Sequence, residues 1–383
     1  MLALLSFAEL LGMSVWLAAS AIAPHFQARW GLTAAESGFL TSAVQVGFVA
    51  GTLVAAVLNL ADVLPSRGYF AGAALLAAGA NAALLVVPEP ALGIGTRFLT
   101  GFFLAGVYPP AMKMAATWFR SRRGLAIGTV VGALTVGKAT PYLIGALGGA
   151  APGPILGATS GAATLAAFLV FAGYRDGPFA FERRPFSWTL VGEVVRRRRW
   201  RLVTGGYLGH MWELYSFWTW IGAWLAASAA RAAGEGPRAG TTLVAFFAIA
   251  IGGAGCVWGG WVADRIGRER LVVRAMTLSG ATALAIGLVF GGPLWLVAMV
   301  ASFWGFFVIA DSAQFSALVT ESVPPHAVGT ALTLQTSLGF LLTTVTIQLV
   351  PYLAESSGWR WAFAALAAGP ALGIAAIRRL EQP

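Results

Sequence analysis

Charge is the scarcest thing in this sequence. Only 10% of its 383 residues are Asp, Glu, Lys or Arg, against roughly 25% in soluble domains. Lysine is nearly missing: Lys113 and Lys138 are the two in the chain, and the other cations are arginines. There is one cysteine, Cys256, so no internal disulfide can form, and its Gly-rich apolar surroundings suit a packing residue. With three histidines and that single cysteine there is no cluster spaced for a metal. No Gly-rich phosphate loop followed by Lys-Ser/Thr occurs, which excludes a built-in ATPase, and no Ser-His-Asp or Cys-His pattern supports an enzyme or a bound cofactor. What fills the space is apolar: 58% hydrophobic residues plus 48 glycines. A soluble globule cannot bury that much apolar surface. A soluble enzyme, a nucleic-acid-binding domain and a disordered chain are all excluded, and the lipid bilayer becomes the first partner.

A helix needs about 20 mostly apolar residues to cross a bilayer. Twelve such stretches are predicted: 2–24, 37–60, 69–88, 92–116, 124–148, 154–173, 202–227, 241–263, 272–290, 293–318, 327–350 and 359–377. Their unbroken apolar runs exclude barrel strands, which would alternate. The first stretch has no basic leader and is interrupted by Glu9, so it is read as a span, not a signal peptide. Arginines orient the chain. With the N-terminus in the cytoplasm, eighteen of 25 cations lie on the cytoplasmic side, among them Arg67, Arg120, Arg122, Arg123, Arg183, Arg184, Arg265 and Arg268. Four, Arg29, Arg231, Arg238 and Arg360, lie opposite. Both termini are expected in the cytoplasm of a plasma (inner) membrane.

The polar stretch 174–200 separates an N-terminal six-span unit (1–173) from a C-terminal one (201–383). The two halves repeat each other. Gly101-Phe102-Phe103 matches Gly305-Phe306-Phe307, Glu9-Leu10 matches Glu213-Leu214, and Trp16 matches Trp220, all at an offset of 204; Leu60-Ala61-Asp62 matches Val262-Ala263-Asp264 at 202. Six plus six with parallel pseudo-symmetry leaves a passage between halves that can rock against each other.

Gly260-Trp261-Val262-Ala263-Asp264-Arg265-Ile266-Gly267-Arg268-Glu269-Arg270 resembles the loop motif G-x-x-x-D-R-x-G-R-x-R of the major facilitator superfamily of secondary transporters. The N-terminal copy is degraded, with Asn59 in place of Gly and only Asp62, Arg67 and Gly68 recognisable. Arg97-Phe98 with Gly101 resembles the family's span-4 arginine motif, whereas Gly137, Pro141 and Gly145 match its span-5 antiporter motif only loosely. The nitrate porters' arginines of spans 2 and 8 are missing. The resemblance covers essentially the whole chain. It implies an all-α fold of two six-helix bundles, alternating access, and a monomer by default. Physically, the loop carboxylates and arginines (Asp62, Arg67, Gly260, Asp264, Arg265, Gly267, Arg268) can form contacts in one rocking state and break them in the other, a latch for gating; topology anchoring is the simpler alternative.

Seven ionisable residues fall inside predicted spans: Glu9, Arg97, Lys113, Lys138, His210, Glu213 and Asp311. Such residues are costly in a bilayer and normally face a protein interior or a wet cavity. Six of them lie on spans 1, 4, 7 and 10, which the resemblance places around the central cavity. Glu213 and His210 share one helical face. Glu213 is expected to be the main proton-coupling group with His210 as its modulator, and Glu9 and Asp311 as further sites. A permanent interhelical tie is the competing role for Glu213. Lys138 and Arg97, with Trp212 and Trp220, are the candidate substrate-binding residues; packing is equally open to the tryptophans. Prolines 109, 110 and 141 predict kinks in spans 4 and 5. The expected function is proton-coupled transport, such as symport, of a small organic solute, anionic because Lys138 and Arg97 are within spans. An exporter of amphipathic, drug-like compounds and a transport-inactive sensor of the same fold are the alternatives.

Overall fold

The computed structural model describes residues 1–119, 123–149, 151–179, 188–233 and 239–380. Arg120, Arg122, Arg183, Arg184 and Arg238, used above for topology, lie outside the described residues. No strand occurs among the residues described.

The N-terminal half contains α1 (Leu2–Met13), α2 (Ala18–Ala21), α3 (Ala23–Trp30), α4 (Ala34–Val57), α5 (Leu60–Val63), α6 (Ser66–Ala83), α7 (Pro90–Leu104), α8 (Tyr108–Ala116), α9 (Arg123–Gly148) and α10 (Pro152–Gly173). After a short helix, α11 (Trp188–Arg196), the C-terminal half contains α12 (Arg198–Ala233), α13 (Ala239–Ile266), α14 (Arg268–Ala285), α15 (Leu294–Ala310), α16 (Ser312–Thr320), α17 (Val328–Ser357) and α18 (Ala368–Arg378). Nine helical segments among the described residues are long and apolar enough to cross a membrane. The other three predicted crossings are α1–α3, which is interrupted, α6, which is rich in Ala and Gly, and α12, which carries His210 and Glu213. The all-α, two-bundle membrane fold expected from the sequence is the fold observed.

Local chemistry explains the helix ends. Thr33 caps α4 reciprocally: its hydroxyl accepts from the Glu36 N–H at 3.2 Å, and its own N–H donates to the Glu36 carboxylate at 2.8 Å. Pro90 and Pro152 open α7 and α10, where the missing N–H costs nothing. Asn59 is the one non-glycine with positive φ (52°) among the described residues. It lies one residue past Leu58, the position that aligns with Gly260 when Asp62 is set on Asp264, and Asn is among the few residues that tolerate this conformation. The second copy differs. Gly260 lies inside α13, and the chain turns instead at Gly267, with φ 92°.

The repeat in the sequence is a repeat in the packing. A Cβ on Gly101 would sit 2.0 Å from the Val44 carbonyl oxygen, and one on Gly305 would sit 1.6 Å from that of Ala248. A Cβ on Gly51 or on Gly255 would lie 2.2 Å from the Phe102 or the Phe306 carbonyl oxygen, respectively. All four pairings are related by the offset of 204. In each half the second and fourth spans, α4 with α7 and α13 with α15, touch backbone to backbone, as small residues permit in membranes. The halves meet along α9–α13, where Gly132 and Gly253 face each other's carbonyls, and along α4–α17.

Three predicted spans are broken near their middles. Span 1 stops at Met13 and restarts at Ala18. Span 4 stops at Leu104 and restarts at Tyr108, immediately before Pro109 and Pro110. Span 10 is interrupted at Asp311. Pro141, expected to kink span 5, lies inside a continuous α9. The stretch 174–200, expected as a polar loop, includes α11, whose Val194 is buried and which packs on α17 and α12. Polar contacts tie this segment down: Glu193 reaches His326 (3.6 Å) and Arg199 pairs with Glu269 (3.5 Å), while Glu193 and Arg197 (2.6 Å) pair within it.

Candidate functional site

The broken spans leave backbone carbonyls without helical partners, and a buried cation occupies the largest break. Arg97, on α7, is fully buried. Its guanidinium donates to the carbonyls of Val15 (3.1 Å), Trp16 and Leu40 (3.3 Å), and to Asn81 Oδ1 (3.0 Å). Asn81 in turn donates to Thr159 and Ser160 of α10 at 3.1 and 3.0 Å. Five elements are thus tied through one planar fork, a geometry arginine fits and lysine does not. Expected among the substrate-binding residues, Arg97 has its donors committed to the protein's own backbone.

Lys138 lies differently. On α9 and 2% exposed, it projects across the interface between halves. Its Nζ is 4.0 Å from the centre of the Trp16 ring, 4.7 Å from Tyr215 and 5.0 Å from Trp218, and it donates to the Tyr215 hydroxyl at 2.5 Å. Trp16 comes from the break in span 1; Tyr215 and Trp218 come from α12 in the other half. Three ring faces around an ammonium make a cation–π box, worth about 2 kcal/mol or more when desolvated. Phe48 of α4 and Phe340 of α17 close it, with ring centres 4.7 Å apart and each within 5.6 Å of Trp16.

Glu9 is at the same depth. A Cβ on Gly137 would meet the Leu10 carbonyl at 2.2 Å, so the Glu9 and Lys138 backbones run side by side, and the two charges lie within electrostatic reach. The Glu9 carboxylate is fully buried, and neither oxygen has a hydrogen-bond partner. The indole N–H groups of Trp16 and Trp218 are also unpartnered.

The sequence expected Glu213 to face the same axis as Glu9. It does not: Glu213 turns into its own bundle, where Ser279 of α14 donates to one oxygen (2.9 Å) and Trp304 of α15 to the other (2.6 Å). His210, one turn away, lies not against Glu213 but against Asp311, with Nδ1 2.9 Å from Oδ1 at the break in span 10. Trp212 and Trp220 donate to the carbonyls of Ala365 (3.2 Å) and Ile347 (2.8 Å), and Trp220 packs over Gly38 of α4. Both sit away from Lys138. Trp218, which its place beside Glu213 in the sequence offers as a stacking residue, does reach Lys138, whereas Trp16, Tyr215, Phe48 and Phe340 escaped the sequence reading as site residues. The available signal was Lys138 itself, a deep cation with no carboxylate three or four residues away.

At the ends of the bundles the loop residues make two related joints. Asp62 pairs with Lys113 of α8, which also donates to the Ala61 carbonyl (2.7 Å). In the other half Arg268 reaches Glu321 (3.0 Å) and Gln314 (3.0 Å), at the end of and within α16. Arg265 stacks on Trp261 at 3.4 Å, and Arg67 lies over Phe171 at 5.6 Å. Asp264 has no partner among the described residues. Each joint ties the loop after its half's second span to the lower part of the fourth.

Comparison with known proteins places this arrangement. The chain matches a bacterial homologue of the human lysosomal transporter Spinster, solved inward-facing and unoccupied, over 98% of its length and 96% of that chain, with a TM-score of 0.75 at 14% identity. The Escherichia coli fucose:proton symporter FucP gives 0.68 at 13% identity, over 100% of this chain and 98% of that one. The nucleoside transporter NupG gives 0.71 at 14%, over 99% and 98%. No curated protein matches the sequence. The family model described as Major Facilitator Superfamily matches residues 2–234 and 214–383, and with both halves covered and the transporter fold shared, the chain belongs to that superfamily.

Proposed function

We propose that the protein is a proton-coupled secondary transporter that moves a small organic anion by alternating access. The units 1–173 and 201–383 rock about the segment 174–200, and both termini face the cytoplasm. The observation that carries this reading is the buried Glu9–Lys138 pair. A carboxylate with no hydrogen bond and an ammonium held only by aromatic faces and one hydroxyl sit where the two halves meet. Charges that serve structure alone are normally matched by dedicated partners, as Arg97 and Glu213 are. Lys138 offers an anion its charge, and Glu9 can gain and lose a proton as the halves part and close.

This reading moves the coupling role from Glu213 to Glu9. In liposomes holding a pH-sensitive dye, an external carboxylate should produce a substrate-dependent pH change. Glu9→Gln should abolish that change. Glu213→Gln should retain both coupling and most of the stability, because its amide oxygen can accept from Trp304 while its amide nitrogen donates to the Ser279 hydroxyl, which turns its own hydrogen to the Met276 carbonyl. Coupling that survives Glu9→Gln and vanishes in Glu213→Gln would return the role to Glu213. For orientation, a fluorescent protein fused at the C-terminus should light up inside cells, whereas a periplasm-dependent phosphatase at the same place should stay inactive; the reverse result would invert the topology.

A further inference from the structure

The box around Lys138 holds an imbalance that specifies its ligand. Its unmatched polar groups are mostly donors: the Trp16 and Trp218 indole N–H groups and the hydrogens of the Lys138 ammonium not used by Tyr215. One acceptor group, the Glu9 carboxylate, is left without a partner. Buried donors in excess suit a ligand that supplies acceptors. The walls are flat rings: Trp16, Phe48, Tyr215 and Phe340, with centres 4.7–5.8 Å apart where they meet. Flat rings pack best on a flat apolar body. With Lys138 protonated and Glu9 ionised the box holds one cation and one anion, and the ionisable groups facing Glu9 are Lys138 from α9 and Tyr108 from α8; α10 contains none. Adding an anion would leave a net negative charge in a dry site, which is costly. A proton on Glu9 removes it.

We propose that this box takes a monoanionic carboxylate with a planar apolar body, and takes it together with one proton on Glu9, so that each transport event is electroneutral. The proposal rests on the transport reading above and adds the substrate class and the stoichiometry. The carboxylate draws the Lys138 ammonium from the ring faces, the indole N–H groups complete its coordination, and the planar body replaces ring–ring contacts as the halves separate. The proton comes from solvent to a Glu9 oxygen and returns to solvent on the other side. No bond is made in the substrate.

Benzoate is the probe. The purified full chain in detergent would be titrated in weak buffer near neutral pH, with binding followed by tryptophan fluorescence and proton uptake by an indicator dye. One proton should be taken up per benzoate bound. Acetate should bind roughly tenfold more weakly, since an aromatic contact contributes about 0.5–1.5 kcal/mol. Benzyl alcohol and benzyltrimethylammonium should not compete. In Glu9→Gln, whose amide mimics the protonated acid, benzoate should still bind and proton uptake should fall to zero. Lys138→Gln should lose binding; because that variant could misfold, the wild-type stoichiometry and Glu9→Gln decide the matter. Binding without proton uptake in wild type, uptake that persists in Glu9→Gln, preference for the amine or alcohol, or no benzoate binding at about 10 mM (a free energy weaker than about −3 kcal/mol) would each overturn the proposal. If a pH gradient still drives uptake of a non-aromatic anion in liposomes, the transport reading stands and this one alone fails. If a pH gradient drives nothing, both fail.

Discussion

Arg97→Ala is expected to be the most damaging single substitution in the N-terminal half. It removes every bond of the guanidinium, orphans the Trp16 carbonyl at the break in span 1, and leaves the Val15 carbonyl with only a long 3.5 Å bond from the Ala18 N–H. It also frees Asn81 Oδ1. Each buried acceptor left alone costs about 1–3 kcal/mol, and the total should reach about 3–5 kcal/mol, the range for breaking a buried charged network. A fall in melting temperature on the order of 10 °C, followed by fluorescence-detected size exclusion, is the expected readout. Arg97→Lys should recover little, because an ammonium cannot reach carbonyls on two helices and an amide at once. A variant that melts like wild type and loses only anion affinity would instead place Arg97 in the substrate site.

The second large effect is expected at Gly305. Its Cβ would lie 1.6 Å from the Ala248 carbonyl oxygen and 2.7 Å from the carbonyl carbon. Both are backbone atoms of α13, so no side chain can move aside; the two helices must separate. Overpacking commonly costs about 1–3 kcal/mol, and Gly305→Ala should sit at or above the top of that range, lowering the yield of monodisperse protein. Gly101→Ala should do the same from the other half, against Val44. Gly72→Ala and Gly157→Ala are the controls. Both positions are helical and open, with nothing within 4 Å of the added Cβ. There the alanine should be neutral or gain up to about 1 kcal/mol from helix propensity. Equal behaviour of all four variants would overturn the backbone-contact account.

These two sites also show what the sequence could and could not disclose. Gly101 and Gly305 were visible as a repeat, because a duplicated backbone contact needs the same residue twice. The break in span 1 was invisible. Met13 to Leu17 contains neither Gly nor Pro, and the turn there depends on Arg97, some eighty residues away. Glu213 shows the same limit. Helical spacing put it on one face with His210, but spacing cannot say which bundle that face meets. Ser279 and Trp304, its partners, lie 66 and 91 residues further on. Intramembrane charge was the dependable signal. Its cost marked Glu9, Lys138, Asp311 and Arg97 as buried in protein, while leaving open whether each served architecture or transport.

The two joints at the bundle ends carry opposite polarity. In the first half the loop gives the acid and the fourth span the base, Asp62 to Lys113; in the second the loop gives the base and the fourth span the acid, Arg268 to Glu321. The halves are therefore not interchangeable parts. Because Asp62 aligns with Asp264, the second half's loop grafted into the first would still bring an acid to Lys113, while its Arg268 would find neither Glu321 nor Gln314. The reciprocal graft would place Ser66 where Arg268 stood and leave Glu321 without its base, so the second joint can be transplanted only along with the helix it holds.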